Sequence, residues 1–318
     1  MPLHPDARAV VEAAGGGLVP AGLSVAEVRA RFAARWRALV KAQDVVDRGI
    51  PGPGGELPVR VYRPRGAGPF PALVWFHGGG WVLGSPAEND TACRALCDAA
   101  GVVVVSVAYR PAPEHRFPAA VEDAYAALTW VAGNGAELGT DGRIAVGGEG
   151  AGANLAAVVS LMARDHDGPP VLAQLLASPV TAPPGDRKSY VEYGDGCFLT
   201  REDMEWFFRH YARGEEDFDD PYLVPLAGEL RGLPPALVLT AEFDPLRDEG
   251  EEYAHRLLDA GVPVTLVRYE GQVHGFFALL ADRLSVSAQA HARAAEALRA
   301  AFAQALVVGE PGVDRQRT

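Results

Sequence analysis

The chain has 318 residues, 48% of them hydrophobic, and a formal net charge of −12 at pH 7. This length is sufficient for a large core and predicts one catalytic domain with a small lid. The acidic balance provides no basic surface for nucleic acid or for an anionic membrane, so we expect a small uncharged or weakly polar ligand.

The cysteines and the first residues bear on the cellular compartment. The three cysteines, Cys93, Cys97 and Cys197, show no C-x-x-C spacing, which predicts reduced thiols and no metal site. The first residues have neither the basic region nor the apolar run of a signal peptide, and no apolar run reaches the about 18 residues of a membrane span. We therefore expect a cytoplasmic protein that does not associate with membranes. Formation of a homo-oligomer is left open.

Residues 1–44 are predicted to form an N-terminal helical lid segment. Ser24 and Glu27 have the spacing of a capping box at the start of a helix. Apolar residues then recur at helical spacing at Val25, Val28, Phe32, Trp36 and Val40. Such a stripe must pack against another part of the protein. A lid over an active site and an ordinary helix on the core fit it equally well.

Residues 45–306 follow the pattern of a single α/β domain. Val45–Gly52 and Leu57–Arg63 predict an opening antiparallel hairpin. Continuous apolar runs then alternate with helices, which predicts a mostly parallel central sheet with helices on both faces. The predicted strands of this sheet are residues 72–76, 102–107, 143–146, 171–176, 236–240 and 263–269.

The strand rhythm is interrupted around residues 181–230, which predicts an insertion that completes the lid. Within it, Leu199–Asp203 opens a short helix with several aromatic residues. We expect the last helix of the domain at residues 284–306 and a loose tail at residues 307–318.

The turn Gly148-Glu149-Gly150-Ala151-Gly152 lies between a predicted strand and a predicted helix. It fits the nucleophile elbow of α/β-hydrolases, G-x-S-x-G, with Gly150 at the position of the serine. It also fits a dinucleotide-binding fingerprint, G-x-G-x-x-A, or a turn whose glycines only relieve backbone strain. The elbow is favoured because the rest of the chain contains the other parts of a hydrolase site in the expected order.

Those other parts follow predicted strands. After the strand at residues 72–76, the run His77-Gly78-Gly79-Gly80-Trp81 lets backbone N–H groups point into a cavity, as an oxyanion hole requires. Asp244 follows the strand at residues 236–240 and fits either an acid that orients an imidazole or a helix N-cap. His274 follows the last strand by a short loop. Elbow, acid and histidine occur in the order of a hydrolase triad.

With these motifs, the chain resembles the hormone-sensitive-lipase-like group of α/β-hydrolases, in particular its bacterial esterases. The resemblance runs from about residue 45 to residue 303 and is carried by His77–Trp81, Tyr109–Ala119, Asp244–Asp248 and His274–Phe276. It implies an α/β-hydrolase fold with a helical lid and carboxylic-ester substrates of modest size, and it implies no cofactor and no metal. It further implies an oxyanion hole formed by the N–H groups of Gly78, Gly79 and Ala151.

One departure from the family pattern bears directly on function. The family mechanism needs a serine Oγ at position 150 to attack the acyl carbon, His274 to accept its proton and Asp244 to hold the imidazole. Gly150 has no side chain, so no acyl-enzyme can form there, and Cys197 is only a remote substitute. We therefore predict a carboxylic-ester hydrolase that is inactive or very weak in this form.

Three accounts of Gly150 remain open. It fits an esterase inactivated by design to trap a ligand, and it fits a natural loss that leaves a pseudo-hydrolase binding a small ligand. It also fits a site that has moved to serine-independent chemistry, such as water-mediated hydrolysis or a dehydratase or lyase reaction. That chemistry needs only His274, Asp244 and the oxyanion hole, and the presence of all these groups argues against pure binding.

Overall fold

A computed structural model describes residues 2–36 and 45–308 of the chain. Within these residues, the strands form one eight-stranded sheet in the order β1-β2-β4-β3-β5-β6-β7-β8. The strands are β1 (Val45–Gly52), β2 (Gly55–Tyr62), β3 (Phe70–Phe76), β4 (Val103–Val107), β5 (Thr140–Glu149), β6 (Gln174–Ala177), β7 (Ala236–Phe243) and β8 (Val264–Val273).

The sheet is parallel from β4 through β3 and β5 to β8, whereas β1 and β2 at one edge pair in antiparallel fashion. All of β4 and most of β3 are buried on both faces of the sheet. Strands in this position have no polar face, which explains why their sequences are unbroken apolar runs. The predicted hairpin and the predicted mostly parallel sheet are both confirmed.

Helices cover both faces of the sheet. On the described residues they are α1 (Pro5–Ala14), α2 (Val25–Trp36), α3 (Asp90–Ala100), α4 (Ala119–Gly133), α5 (Gly135–Leu138), α6 (Ala151–Asp165), α7 (Lys188–Tyr193), α8 (Arg201–Tyr211), α9 (Arg247–Asp259) and α10 (Val286–Val308). Helix α3 packs against α10, and α4 packs against α6. No helix in the part of the chain that the structure describes has the length and apolar character needed to cross a bilayer.

Several predicted element boundaries differ from the structure: β5, β7 and β8, for example, continue three or four residues beyond their predicted ends, to Glu149, Phe243 and Val273. Strand β6 was expected at residues 171–176 but forms at Gln174–Ala177, because the ladder that joins it to both neighbouring strands begins only at Gln174. Helix α10 continues to Val308, so the first two residues of the predicted tail at 307–318 are helical. The rest of that tail and residues 37–44, which include Val40 of the apolar stripe, lie outside the described residues.

The N-terminal segment, residues 2–36, is packed onto the domain through its apolar stripe. Val28, Phe32 and Trp36 are all buried. The predicted capping box is present, since the N–H of Ser24 donates to the Glu27 carboxylate at 2.9 Å and the N–H of Glu27 lies 3.4 Å from Ser24 Oγ. Hydrogen bonds to the rest of the chain run from His4 N–H to Gly271 O, from Ser285 N–H to Asp6 Oδ2, and from Arg29 to the carbonyl oxygens of Val82 and Ala112.

A buried carboxylate joins the N-terminal segment to the insertion at residues 181–230. Asp203, in the first turn of α8, is 2% exposed. It accepts hydrogen bonds from the N–H groups of Leu18 and Val19 at 3.0 and 2.8 Å, and from the N–H of Thr200 at 2.9 Å. Thr200 Oγ1 accepts in turn from the N–H of Asp203, which completes a capping box on α8. Asp203 therefore caps its own helix and holds the N-terminal segment at the same time.

Candidate active site

The carboxyl ends of four strands bring the predicted site residues to one edge of the sheet. β3, β5, β7 and β8 end immediately before His77, Gly150, Asp244 and His274, respectively. His274 therefore follows its strand directly, and the short loop expected between them is absent because β8 continues to Val273. Ligands of open α/β sheets bind at this edge.

Gly150 has the backbone conformation of a sharp strand-to-helix turn. Its φ is 59° and its ψ is −119°, a backbone conformation that residues with a Cβ rarely adopt. Gly150 is also the N-cap residue of α6. An ideal Cβ built on Gly150 would lie 3.2 Å from Nε2 and 3.4 Å from Cε1 of His274, and it would meet no other atom within 4 Å beyond its chain neighbours. A side chain at position 150 would therefore point at the imidazole.

The two glycines that flank this position have a packing role. A Cβ on Gly148 would lie 2.3 Å from the carbonyl group of Gly152, and a Cβ on Gly152 would lie 1.9 Å from Phe76 O. Both are backbone atoms that cannot move aside. The glycines thus allow β5, α6 and the end of β3 to approach closely, which fits the elbow hypothesis without any phosphate ligand.

Asp244 and His274 form a buried hydrogen-bonded pair. Nδ1 of His274 lies 2.9 Å from Oδ2 of Asp244, and the other carboxylate oxygen accepts from the N–H of Leu246 at 2.9 Å. Asp244 therefore does both of the things expected of it, because it orients the imidazole and also caps the turn before α9. With Nδ1 donating to a carboxylate, the lone pair of the neutral ring is on Nε2, which faces position 150.

Several carboxylates act on the charge of His274. Burial lowers the pKa of His274, but the carboxylates of Asp244, Glu149 and Asp203 outweigh burial and raise it above its ordinary value. A raised pKa makes Nε2 a stronger base when the ring is neutral. The imidazole is thus prepared to accept a proton from a group at position 150.

Glu149 is a site residue whose role the sequence did not reveal. It is 2% exposed, and its carboxylate accepts hydrogen bonds of 2.9, 3.0 and 2.9 Å from the N–H groups of Phe277, Ala278 and Leu279. Burial raises the pKa of Glu149, an effect that His274 and these three donors oppose. Glu149 therefore ties the turn that carries Gly150 to the segment that follows His274.

The glycine loop, residues 77–80, is held in place by neutral groups. Burial lowers the pKa of His77 to about 4, so its ring is neutral and its Nδ1 donates to Gly78 O at 2.8 Å. Tyr109 stacks on the His77 ring at 4.2 Å and donates its hydroxyl to His77 O at 2.8 Å. The loop therefore has a fixed backbone conformation.

The glycines of this loop are required by close approaches. Gly79 has a φ of 110° and Gly80 a φ of 60°, and a Cβ on Gly79 would lie 2.3 Å from Leu83 O. A Cβ on Gly78 would lie 3.0 Å from Glu149 O, so the loop runs directly beside the Gly150 turn. Ala151 is the first residue of α6, where the N–H has no partner within the helix. Of the three predicted oxyanion-hole residues, Gly78 and Ala151 thus lie beside position 150, and Gly79 follows Gly78 in the same loop.

The hydroxyl groups of Ser160 and Ser85, and the thiol of Cys197, do not replace the missing nucleophile. Ser160 donates to Ala156 O within α6, and Ser85 donates to Glu88. Burial raises the pKa of the Cys197 thiol to about 11, which keeps it protonated at neutral pH. Among the described residues, no group of three or more His, Cys, Asp or Glu side chains is arranged to hold a metal ion.

Comparisons with known proteins identify the family of the chain. Residues 73–278, more than half of the chain, match the family model of the alpha/beta hydrolase fold. The carboxylic ester hydrolase LipN of Mycobacterium tuberculosis is 47% identical over 274 residues, which cover 81% of this chain and 73% of LipN.

Solved structures are similar over nearly the whole chain. A hyperthermophilic esterase from the archaeon Pyrobaculum calidifontis has a TM-score of 0.89 and 44% identity, covering 94% of this chain and 99% of that one. A serine-to-alanine mutant of the esterase rPPE, complexed with (S)-Ac-CPA, has a TM-score of 0.88 and 40% identity over 94% of this chain and 97% of that one. The chain therefore belongs to the α/β-hydrolase family, in its hormone-sensitive-lipase-like group of carboxylic esterases.

Proposed function

We propose that this protein binds small carboxylic esters in the manner of its family but hydrolyses them only very weakly, because Gly150 stands where the nucleophilic serine is needed. One observation carries the proposal: a Cβ at position 150 would lie 3.2 Å from Nε2 of His274. A serine there would have its hydroxyl beside the base that the family mechanism requires.

The remaining groups have the roles of an esterase site. The ester carbonyl oxygen binds to the N–H groups of Gly78, Gly79 and Ala151, which would stabilise negative charge on that oxygen in the transition state. His274 is the proton acceptor, and Asp244 fixes its tautomer and orientation through the 2.9 Å bond to Nδ1. Without Oγ, the acyl group cannot be transferred to the protein.

The proposed lid consists of the N-terminal segment and the insertion. Phe207 of α8 lies against the glycine loop, where a Cβ on Gly80 would come within 2.1 Å of its ring. Trp81, which follows the loop, stacks on Tyr211 of α8 at 4.4 Å. Contacts of this kind support a cover over the site that shields an ester from bulk water.

The test is restoration of the nucleophile. We expect Gly150→Ser to hydrolyse short p-nitrophenyl esters roughly 10⁴- to 10⁶-fold faster than the unchanged protein, since removal of a serine nucleophile has cost about 10⁶ in turnover elsewhere. A rapid burst of p-nitrophenol would report acyl-enzyme formation.

The control is the same variant without its base. Gly150→Ser combined with His274→Ala keeps the hydroxyl but should lose nearly all of the restored rate. The proposal fails if Gly150→Ser is no faster than the unchanged protein, or if the double variant is as fast as Gly150→Ser.

A further inference from the structure

We propose that the unchanged protein uses the space beside His274 Nε2 for a small hydroxylic nucleophile, water or an alcohol of the size of methanol, and transfers the acyl group to it in one displacement. This activity rests on the proposed function, since it uses the same ester site. It differs from the family mechanism because no covalent intermediate forms on the protein.

The dimensions of the space support this nucleophile. The position that a Cβ would occupy at residue 150 is 3.2 Å from Nε2, so Nε2 faces the open side of the glycine. That position is only one C–C bond, about 1.5 Å, from Cα of Gly150, so a free oxygen atom lies farther out on the same side, where it can still donate a hydrogen bond to Nε2. Apart from Nε2 and Cε1 of His274, Gly150 itself and its chain neighbours, no atom lies within 4 Å of the Cβ position.

The imidazole is held in the form that such a step needs. Nδ1 is bound to Asp244 at 2.9 Å, so the ring cannot turn to offer its other nitrogen. Glu149 adds a second restraint, because its three hydrogen bonds hold the segment that begins three residues after His274. The lone pair of Nε2 therefore points at the position of the nucleophile whether or not a side chain is present there.

The chemical step balances without any further group. The nucleophile oxygen forms a bond to the acyl carbon while its proton moves to Nε2, and the carbonyl π electrons move to the carbonyl oxygen. The N–H groups of Gly78, Gly79 and Ala151 stabilise that oxyanion. The oxyanion then collapses, the bond to the leaving alkoxide or phenoxide breaks, and the proton on Nε2 passes to the leaving oxygen. Water gives the acid, and methanol gives the methyl ester.

A matched variant separates this activity from background hydrolysis. Gly150→Ala also lacks a nucleophile, but its methyl group would occupy the position 3.2 Å from Nε2 and exclude the oxygen. With p-nitrophenyl acetate as substrate, we expect Gly150→Ala to be at least about tenfold slower than the unchanged protein. We expect His274→Ala to be slower by about 10²-fold, the lower end of what a general base contributes.

Added methanol provides a second measurement. The unchanged protein should release p-nitrophenol faster with methanol and form methyl acetate without a burst, and Gly150→Ala should do neither. In a direct displacement the leaving group is still attached to the acyl carbon when water or methanol attacks. The ratio of methyl acetate to acetate should therefore differ between phenyl acetate and p-nitrophenyl acetate as substrates. In Gly150→Ser the ratio should be the same for both esters, since both form the same acyl-enzyme.

The outcomes distinguish the two proposals. If Gly150→Ser is inactive, the proposed ester hydrolase function is wrong. A second outcome is that Gly150→Ser is active, but hydrolysis and transesterification are equally fast in the unchanged protein, in Gly150→Ala and in His274→Ala. In that case only the direct-displacement activity is wrong. Circular dichroism of each variant shows that it is folded, and His274→Ala still decides the matter if Gly150→Ala does not fold.

Discussion

Replacement of Gly150 by alanine tests the geometry of the elbow without any substrate. The backbone at Gly150 has a φ of 59° and a ψ of −119°. For a residue with a Cβ, strain of this kind costs about 1–3 kcal/mol. Alanine also restricts the unfolded chain, which stabilises the folded state by about 0.4–1 kcal/mol where the native backbone suits it. The strain is the larger of the two effects.

The contact with His274 adds to the cost. A Cβ at position 150 would lie 3.2 Å from Nε2, so the ring must shift by a few tenths of an ångström, and its bond to Asp244 resists that shift. We therefore expect Gly150→Ala and Gly150→Ser each to lower the free energy of unfolding by about 1 kcal/mol or slightly more. The gain of activity in the serine variant would then come with a loss of stability.

Gly133→Ala is the matched control. Gly133 is the exposed last residue of α4, its φ lies outside the left-handed region, and a Cβ there would meet no atom within 4 Å. We expect this variant to be more stable than the unchanged protein by about 0.5–1 kcal/mol. Urea unfolding followed by fluorescence and by circular dichroism gives the free energies if both probes report one transition. The elbow geometry is refuted if Gly150→Ala is stabilised as much as Gly133→Ala.

Two further predictions concern buried carboxylates outside the proposed catalytic groups. In Asp203→Asn, an amide NH₂ group replaces one carboxylate oxygen and cannot accept a hydrogen bond from the N–H of Leu18 or Val19. Limited proteolysis should therefore cut the N-terminal segment faster in this variant than in the unchanged protein. An equal cleavage rate would contradict the role given to Asp203. Burial raises the pKa of Glu249 to about 8, so the folded state holds a proton that the unfolded state has lost between about pH 4.5 and pH 8. The free energy of unfolding of the unchanged protein should therefore fall relative to that of Glu249→Gln as the pH rises through this range. If the difference between the two free energies does not depend on pH, Glu249 does not titrate there.

The fold was predictable where the pattern is local. Strands such as β4 are buried on both faces, so their apolar runs are visible in the sequence alone. Gly150, Asp244 and His274 could be identified because each lies shortly after a predicted strand and because their order is that of a triad. Side-chain type, position after a strand and order along the chain are all properties that one sequence contains.

The supports of the site were not predictable, for a physical reason. Glu149 and Asp203 bind backbone N–H groups, and every residue except proline has one, so no residue type marks their partners. Those partners also lie far away in sequence, 128 residues for Phe277 and 185 for Leu18. The burial of His274 could not be foreseen either, because it depends on how far β8 extends.

The hydrogen-bond partners of the N-terminal segment are spread along the sequence, and this has a consequence for the order of folding. This segment leaves the ribosome before the residues on which it packs, because its hydrogen-bond partners include Asp203, Gly271 and Ser285, up to 279 residues later in the chain. Its docking surface is incomplete until the chain has been synthesised as far as Ser285. Contacts of such long sequence separation form late, because a large loop must close before they add any stability. The N-terminal segment is therefore made before the residues on which it packs and is ordered after them, so a nascent α/β core exists for a time without this segment on its surface.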